Sequence, residues 1–95
     1  MNNEFGSKTV RKHIIFYGRV QGVGFRYHAS YAAGMYGVSG WVRNLYDGSV
    51  EMETEGTQHA IDCMIADINN GRYISIEDIS IKDIPVEGSH YFEIR

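Results

Sequence analysis

Residues 18–26 read GRVQGVGFR, and the sequence changes character on either side of them. Residues 10–17 are rich in β-branched and aromatic side chains, which predicts a strand that ends at Gly18. On the other side, apolar residues recur at the spacing of one helix face: Phe25, Ala29, Ala32 and Tyr36. Gly37 is placed to end that helix. Residues 18–24, the glycine turn, are therefore predicted to lead from a strand into a helix N terminus.

Strand and helix signals continue beyond this helix. Residues 38–45 predict a second strand, and Asp47-Gly48 is typical of a type I′ hairpin turn. Acidic residues then alternate with apolar ones, which predicts a third strand with one buried face and one wet, acidic face: Glu51, Glu53 and Glu55. A second helical stripe follows, with Thr57 as its predicted N-cap and Gly71 as its closing glycine: Ile61, Met64, Ile65 and Ile68.

The remaining residues predict a fourth strand and a short final strand over 91–94. In the fourth strand the alternation slips at Glu77-Asp78, which indicates a β-bulge, and Pro85 ends the strand. The order β-α-β-β-α-β predicts an α+β, ferredoxin-like sandwich. We expect an antiparallel sheet of four to five strands with both helices packed on one face.

Length and composition are those of one small globular domain, predicted over residues 8–95. Residues 1–7 are polar and are predicted to be a disordered lead-in. Cys63 is the only cysteine, which excludes an internal disulfide and is typical of a reducing cytoplasm. No apolar run has the length of a membrane span and no signal-peptide core is present, so no membrane partner is expected.

Charge is divided unevenly along the chain. Between Phe5 and Tyr46 there are six basic residues and no acidic one, whereas between Asp47 and Arg95 eleven acidic residues accompany three basic ones. A first half that binds an anion would show such a split. Chance and surface solubility would also produce it, so the split does not decide between them.

The glycine turn has the composition of an anion site. Glycines between a strand and a helix let consecutive N–H groups point into one concavity, and the helix N terminus adds unpaired donors and partial positive charge. Arg26 lies in the first helical turn, and its guanidinium matches two phosphoryl oxygens. Taken alone, the glycines favour a tight turn without a ligand over a phosphate site.

Other ligands fit the pattern less well. The glycines resemble the loop of some dinucleotide-binding dehydrogenases, but the second strand runs into a hairpin and the chain is too short for a doubly wound domain. RNA-recognition domains share the element order. The acidic face of the third strand would repel a phosphate backbone, so no nucleic acid is expected. The histidines lack ligand spacing, so neither a metal nor a cofactor is expected: His13, His28, His59 and His90.

Residues 18–26 (GRVQGVGFR) and 40–51 (GWVRNLYDGSVE) together resemble the two signature blocks of the acylphosphatase family. The blocks match in order, separation and place on the predicted elements. The resemblance implies metal-independent hydrolysis of acyl phosphates on a ferredoxin-like fold. It implies that Arg26 binds the phosphoryl group and that Asn44 positions the attacking water. The main-chain N–H groups of the loop are expected to bind the phosphate as well: Gln21, Gly22, Val23, Gly24 and Phe25.

The implied reaction suits the residue types present. A carboxylate is a good leaving group that needs no protonation as it departs, and no acid–base pair lies near the glycine turn in the sequence. The site then has to hold the phosphoryl group, neutralise its charge and align a water molecule. The Asn44 carboxamide is a weak base that can accept a hydrogen bond from water, so the proton is expected to pass to a phosphate oxygen.

The remaining residues of the blocks are expected to be structural, with Arg19 and Arg43 as solvated cations and Trp41 as a packing residue. Residues 33–36 (AGMY) depart from the family, whose members usually carry charged residues and leucine there.

We expect a monomeric, cytoplasmic enzyme acting on a small-molecule acyl phosphate. The alternative is a non-catalytic module of the same fold that binds phosphate or carbamoyl phosphate.

Overall fold

The computed structural model describes residues 8–95, and the predicted lead-in lies outside the described residues. The elements are, in chain order, β1 (Thr9–Arg19), α1 (Phe25–Tyr36), β2 (Ser39–Asn44), β3 (Val50–Thr57), α2 (Gln58–Asn69), β4 (Ser75–Ile84) and β5 (Phe92–Ile94). The strands form one sheet in the order β4-β1-β3-β2-β5, and the helices pack on it through a common core. The predicted ferredoxin-like α+β class is confirmed.

The sheet carries one parallel edge strand. Strands β1 to β4 pair antiparallel, as predicted, whereas β5 pairs parallel to β2. The reason is the path of the chain: β4 and β2 run in opposite directions, so a segment that leaves β4 and crosses one end of the sheet re-enters in the direction of β2.

One hydrophobic core lies between the sheet and the helices. The sheet contributes these buried hydrophobic residues: Ile14, Phe16, Val42, Val50 and Met52. Helix α1 meets them mainly through small side chains, which let its backbone come close to the sheet: Ala29, Ala32 and Ala33. The rings of Phe16 and Phe25 lie 4.9 Å apart, tilted by 57°. Because Phe25 is the first residue of α1, this contact positions the start of the helix against β1.

The helix ends follow the sequence signals with one exception. Thr57 Oγ1 accepts a hydrogen bond from Ala60 N at 3.0 Å, and Gly37 closes α1 in the left-handed conformation (φ 70°). Gly71 was predicted to do the same for α2 but is wrong in that role, because Asn70 caps the helix and Gly71 has no positive φ. A Cβ at 71 would lie 2.7 Å from Ile74 Cδ1 and 3.0 Å from Ile68 O, so a larger residue there would require its neighbours to shift.

The turn between β2 and β3 also differs from its prediction. A type I′ turn needs positive φ at both central residues. Gly48 has φ 92°, but Asp47 does not have positive φ. Gly48 N donates to Leu45 O at 3.3 Å and Leu45 N donates to Ser49 O at 2.9 Å, which closes a longer loop. The Asp47 carboxylate accepts hydrogen bonds from Ser49 N and Oγ, so its side chain organises the turn.

The predicted bulge in β4 is confirmed. Tyr17 pairs with Asp78 and Gly18 with Ile76, so Glu77 has no partner on β1. Strand β1 continues past the bulge to Arg19, one residue beyond the predicted stop at Gly18. Strand β4 ends at Ile84, directly before Pro85.

The acidic face of β3 is not wet, which corrects the sequence prediction. Arg11 on β1 is 2% exposed and lies 2.8 Å from Glu53 and 3.0 Å from Glu55. Glu51 accepts hydrogen bonds from His13 at 2.7 Å and from Arg43 at 2.6 Å. Strand alternation placed the acidic residues on the correct face, but their basic partners come from the neighbouring strands and cover them.

Glu55 also holds the segment that leads into β5. Its carboxylate accepts hydrogen bonds from the main-chain N–H groups of Glu87 (2.8 Å), Gly88 (2.9 Å) and Ser89 (3.0 Å). Burial alone would raise the pKa of Glu55, but these N–H groups and the Arg11 guanidinium outweigh burial and lower the pKa below its usual value. Folding is therefore linked to the ionised form of Glu55.

Lowering the pH should weaken the fold through Glu55. Because its folded-state pKa is lowered, its contribution to stability is present above the unfolded-state pKa of about 4.3 and is lost as the pH falls from there through the folded-state pKa. In Glu55→Gln the decline of the unfolding free energy below that pH should be shallower, as measured by urea denaturation at a series of pH values. Glu77→Gln, at an exposed position on β4, is the control. Equal slopes for Glu55→Gln and wild type would contradict the linkage.

Thr54 on β3 is fully buried, and its Oγ1 has no hydrogen-bond partner among the described residues. Thr54→Val keeps the shape and removes the unsatisfied hydroxyl, so we expect the unfolding free energy to rise by about 1 kcal/mol. Thr54→Ser keeps the hydroxyl and loses the methyl group, so it should be destabilising. Thermal and urea unfolding measure both variants, and a less stable Thr54→Val protein would show that the hydroxyl has a partner.

Candidate active site

The glycine turn gives the start of α1 an open set of main-chain donors. Gly22 (φ 72°) and Gly24 (φ 79°) adopt the left-handed conformation, whereas Val23 between them does not. Alternation of left-handed and ordinary residues turns neighbouring N–H groups toward one side. Gly24 is the N-cap of α1; no described side chain caps this end, and no acidic residue lies in the first turn. The first-turn N–H groups, which lack partners within a helix, are available to an anion.

A cavity of about 220 Å³ lies at this helix end, and Arg26 is the only residue with a formal charge in its lining. The lining residues are Val20, Gly22, Gly24, Phe25, Arg26, Tyr27 and Asn44. A larger depression of about 620 Å³ lies by the C-terminal half of α1, and its lining contains Glu55 but no lysine or arginine. The smaller cavity therefore has the electrostatics to attract an anion, and the larger one does not.

Arg26 is held by the last residue of the described chain. Its Nη1 donates to the main-chain oxygen of Arg95 at 3.3 Å. Arg95 N in turn donates to Val42 O at 2.7 Å, which continues the pairing of β5 with β2. The parallel edge strand thus supplies an acceptor that holds the guanidinium beside the cavity.

Asn44 reaches the cavity because it is the last residue of β2 and lies on the same sheet face as Val42. Arg43 points to the other face. It is predicted to be a solvated cation but is paired there. Its Nε lies 2.6 Å from Glu51 Oε1, and its guanidinium lies 5.4 Å from the centre of the Trp41 ring. Arg95 lies 4.7 Å from the same ring, so Trp41 packs against two cations outside the cavity.

The Gln21 side chain has a role that the sequence did not reveal. Its Nε2 donates to Leu45 O at 2.7 Å and to Ser49 O at 2.8 Å. Leu45 directly follows Asn44, so one carboxamide ties the glycine turn to the hairpin that carries Asn44. The sequence indicated only a main-chain donor at this position, because nothing local identifies acceptors 24 and 28 residues away.

Most of the predicted site residues line this cavity, some of them with main-chain atoms and not with their side chains. Gly22, Gly24, Phe25, Arg26 and Asn44 line the cavity, whereas Gln21 and Val23 are not among its lining residues. The Val23 side chain packs against the core. The Phe25 side chain is buried in the core, as expected for a packing residue, so an anion in the cavity meets its main chain.

The other polar side chains considered from the sequence lie outside this cavity. Arg19 is exposed at the end of β1, opposite Ser75. His28 Nε2 lies 3.5 Å from Asp67 Oδ1 on α2, where the two helices meet. Within residues 8–95, no three His, Cys, Asp or Glu side chains are close enough to hold a metal ion. No described helix has the length and apolarity to cross a membrane.

Comparison with known proteins gives consistent matches over nearly the whole chain. The family model described as acylphosphatase matches residues 12–94. An acylphosphatase of Bifidobacterium longum is 42% identical over 92 residues, covering 94% of this chain and 95% of that protein. One of Synechococcus sp. is 47% identical over 90 residues, covering 94% and 96%. The crystal structure of an acylphosphatase from Bacillus subtilis superimposes with a TM-score of 0.84 at 39% identity, covering 90% of this chain and 98% of that one.

Removing the Gln21 bridge should weaken anion binding without unfolding the protein. Gln21→Met keeps the length of the side chain but loses both hydrogen bonds, so the glycine turn is no longer tied to the hairpin that carries Asn44. The loss of two such hydrogen bonds is expected to lower the affinity for inorganic phosphate by about tenfold. An NMR titration with phosphate measures this change. Gln58→Met, which removes an exposed bond to Asp62, is the matched control. Equal phosphate affinity for both variants would contradict the positioning role.

Proposed function

Since the chain belongs to the acylphosphatase family, we propose that residues 8–95 form one catalytic domain that hydrolyses the carboxyl–phosphate anhydride bond of small acyl phosphates. The observation that best supports this is a single cavity lined by the glycine turn, the Arg26 guanidinium and the Asn44 carboxamide. The products are a carboxylate and inorganic phosphate.

Binding uses main-chain donors and one cation. The phosphoryl group lies at the N terminus of α1, where the N–H groups of the glycine turn and the helix dipole favour negative charge. Arg26 offers two parallel N–H donors to two phosphoryl oxygens. Before the substrate arrives, the Gln21 bridge already holds the glycine turn, and Arg26 already donates a hydrogen bond to the Arg95 oxygen. Little reorganisation is then needed as negative charge spreads over the phosphoryl oxygens in the transition state.

Asn44 orients the water for in-line attack. Its carboxamide oxygen accepts a hydrogen bond from water, whose oxygen forms a bond to phosphorus opposite the leaving oxygen. As the bond from phosphorus to the acyl oxygen breaks, its electron pair leaves on the carboxylate. The water proton passes to a phosphate oxygen, which becomes part of the inorganic phosphate product.

The cavity lining agrees with a reaction that needs no protein acid. It contains no Asp, Glu, Lys or His side chain. A carboxylate departs as a stable anion, so protonation of the leaving group is not required. The chemistry therefore rests on positioning and on stabilisation of charge.

We propose that the enzyme acts as a monomer in the cytoplasm. Arg26 and Asn44 of the same chain line one cavity, which is the arrangement that a monomeric enzyme requires. Cys63 is half-buried on α2 without a disulfide, which suits a reducing compartment.

Two substitutions separate the binding and attack roles. Arg26→Ala should lower kcat/KM for acetyl phosphate by at least about a hundredfold, because it removes the cation that faces the developing charge. Asn44→Ala should lower kcat by a comparable factor, about a hundredfold, with a smaller effect on KM, because the water is aligned only for the chemical step. Steady-state kinetics with and without a chelator measure both effects, and the chelator should leave the wild-type rate unchanged.

Arg43→Ala is the matched control. It removes the same type of side chain next to Asn44, but on the opposite sheet face, and should retain turnover. A folded Asn44→Ala protein with full turnover would refute the water-positioning role. Phosphate binding by the wild-type protein without any hydrolysis would instead favour the non-catalytic module.

A further inference from the structure

The outer face of α1 carries three exposed apolar side chains, which we call the α1 stripe: Tyr27, Tyr31 and Met35. Their exposed fractions are 76%, 73% and 56%. Their spacing of four residues places them one above another along the helix. The stripe extends over about 12 Å, because eight residues separate its ends at 1.5 Å per residue.

No charged residue interrupts this surface. Between Tyr27 and Gly37 the chain has no Asp, Glu, Lys or Arg. The solvated face of a helix ordinarily carries such residues, since they keep it in water and support it through pairs along the helix. A stripe of large apolar side chains in that place is therefore unlike an ordinary solvated face.

Gly34 adds a depression beside the stripe. The depression is lined by Ser30, Tyr31, Gly34 and Met35. Gly34 lies inside the helix without positive φ, and a Cβ there would have no atom within 4 Å. A helical glycine lowers helix stability relative to alanine, and neither backbone conformation nor packing requires it here. Its effect is to keep open a space between Tyr31 and Met35.

The stripe is continuous with the catalytic cavity. Tyr27 is its first residue and also lines the cavity together with Arg26 and Asn44. The phosphoryl group is held at the N terminus of α1, and the stripe runs from that end along the helix. An acyl group bound through its phosphate therefore has an apolar surface beside it, beginning at Tyr27.

We propose that the α1 stripe binds the acyl part of the substrate and that the enzyme prefers acyl phosphates with an elongated apolar acyl chain. This inference rests on the proposed hydrolysis of acyl phosphates. The phosphate contacts are common to every acyl phosphate, so they cannot discriminate between acyl groups. Contact of an alkyl chain with Tyr27, Tyr31 and the Gly34 depression supplies the discrimination, because each methylene group removed from water favours binding.

The test compares octanoyl phosphate with acetyl phosphate. The two alkyl carboxylates are leaving groups of nearly equal basicity, so a difference in kcat/KM reports contact with the chain. We expect octanoyl phosphate to be favoured by about tenfold, which needs the burial of roughly two methylene groups. The double variant Tyr31→Glu/Met35→Glu should bring the ratio of the two kcat/KM values close to one. Tyr73→Glu, at a tyrosine 65% exposed outside the stripe, is the matched control and should keep the ratio.

Each outcome has a separate meaning. Hydrolysis of both substrates at equal kcat/KM by the wild type would overturn the inference and leave the proposed function intact. Hydrolysis of neither would overturn the proposed function. If light scattering showed a wild-type dimer that the double variant abolishes while the ratio stayed unchanged, the stripe would be the contact of a second copy, and the inference would be wrong. Circular dichroism verifies that the variants are folded.

Discussion

The two hydrogen bonds donated by Gln21 are the contacts on which the proposed site depends most. A binding surface made of main-chain N–H groups cannot adjust by changing side-chain rotamers, so the backbone itself has to be held in place. Gln21 does this with one carboxamide that reaches Leu45 O and Ser49 O across the site. Because Asn44 adjoins Leu45, the same bonds set the distance between the glycine turn and the residue proposed to align water.

A second support comes from the other side of the sheet. Arg11 and Glu55 form a buried ion pair, and Glu55 binds the main chain of residues 87–89. Strand β5 follows that segment and ends beside the proposed site. The next residue, Arg95, accepts a hydrogen bond from Arg26 there. A pair with no contact to the proposed substrate site thus anchors the segment that carries this acceptor. Such a pair stabilises only while both partners are charged and hydrogen-bonded, as they are here.

Local patterns predicted the elements well, because helix stripes, caps and the β4 bulge are encoded by neighbouring residues. The errors came from partners distant in sequence. The pattern predicts a wet acidic face on β3, because nothing near these residues in the sequence reveals Arg11, which is 44 residues from Glu55. The pattern also predicts a left-handed cap at Gly71, because nothing local in the sequence reveals that Asn70 N–H closes the helix. The sequence blocks place Arg26 and Asn44 at the ends of two elements, and both line one cavity. The side-chain contacts of Gln21 exist only once the hairpin is in place.

The bulge at Glu77 affects how folded copies of the chain meet one another. Strand β4 lies at an edge of the sheet and is ten residues long, so its outer side is a template on which another strand could pair. The unpaired residue increases the local twist, Lys82 adds charge, and Pro85 stops the strand. A flat strand from another molecule therefore cannot pair along the whole outer edge of β4. The same irregularity that adjusts the register with β1 also protects the folded protein against edge-to-edge aggregation.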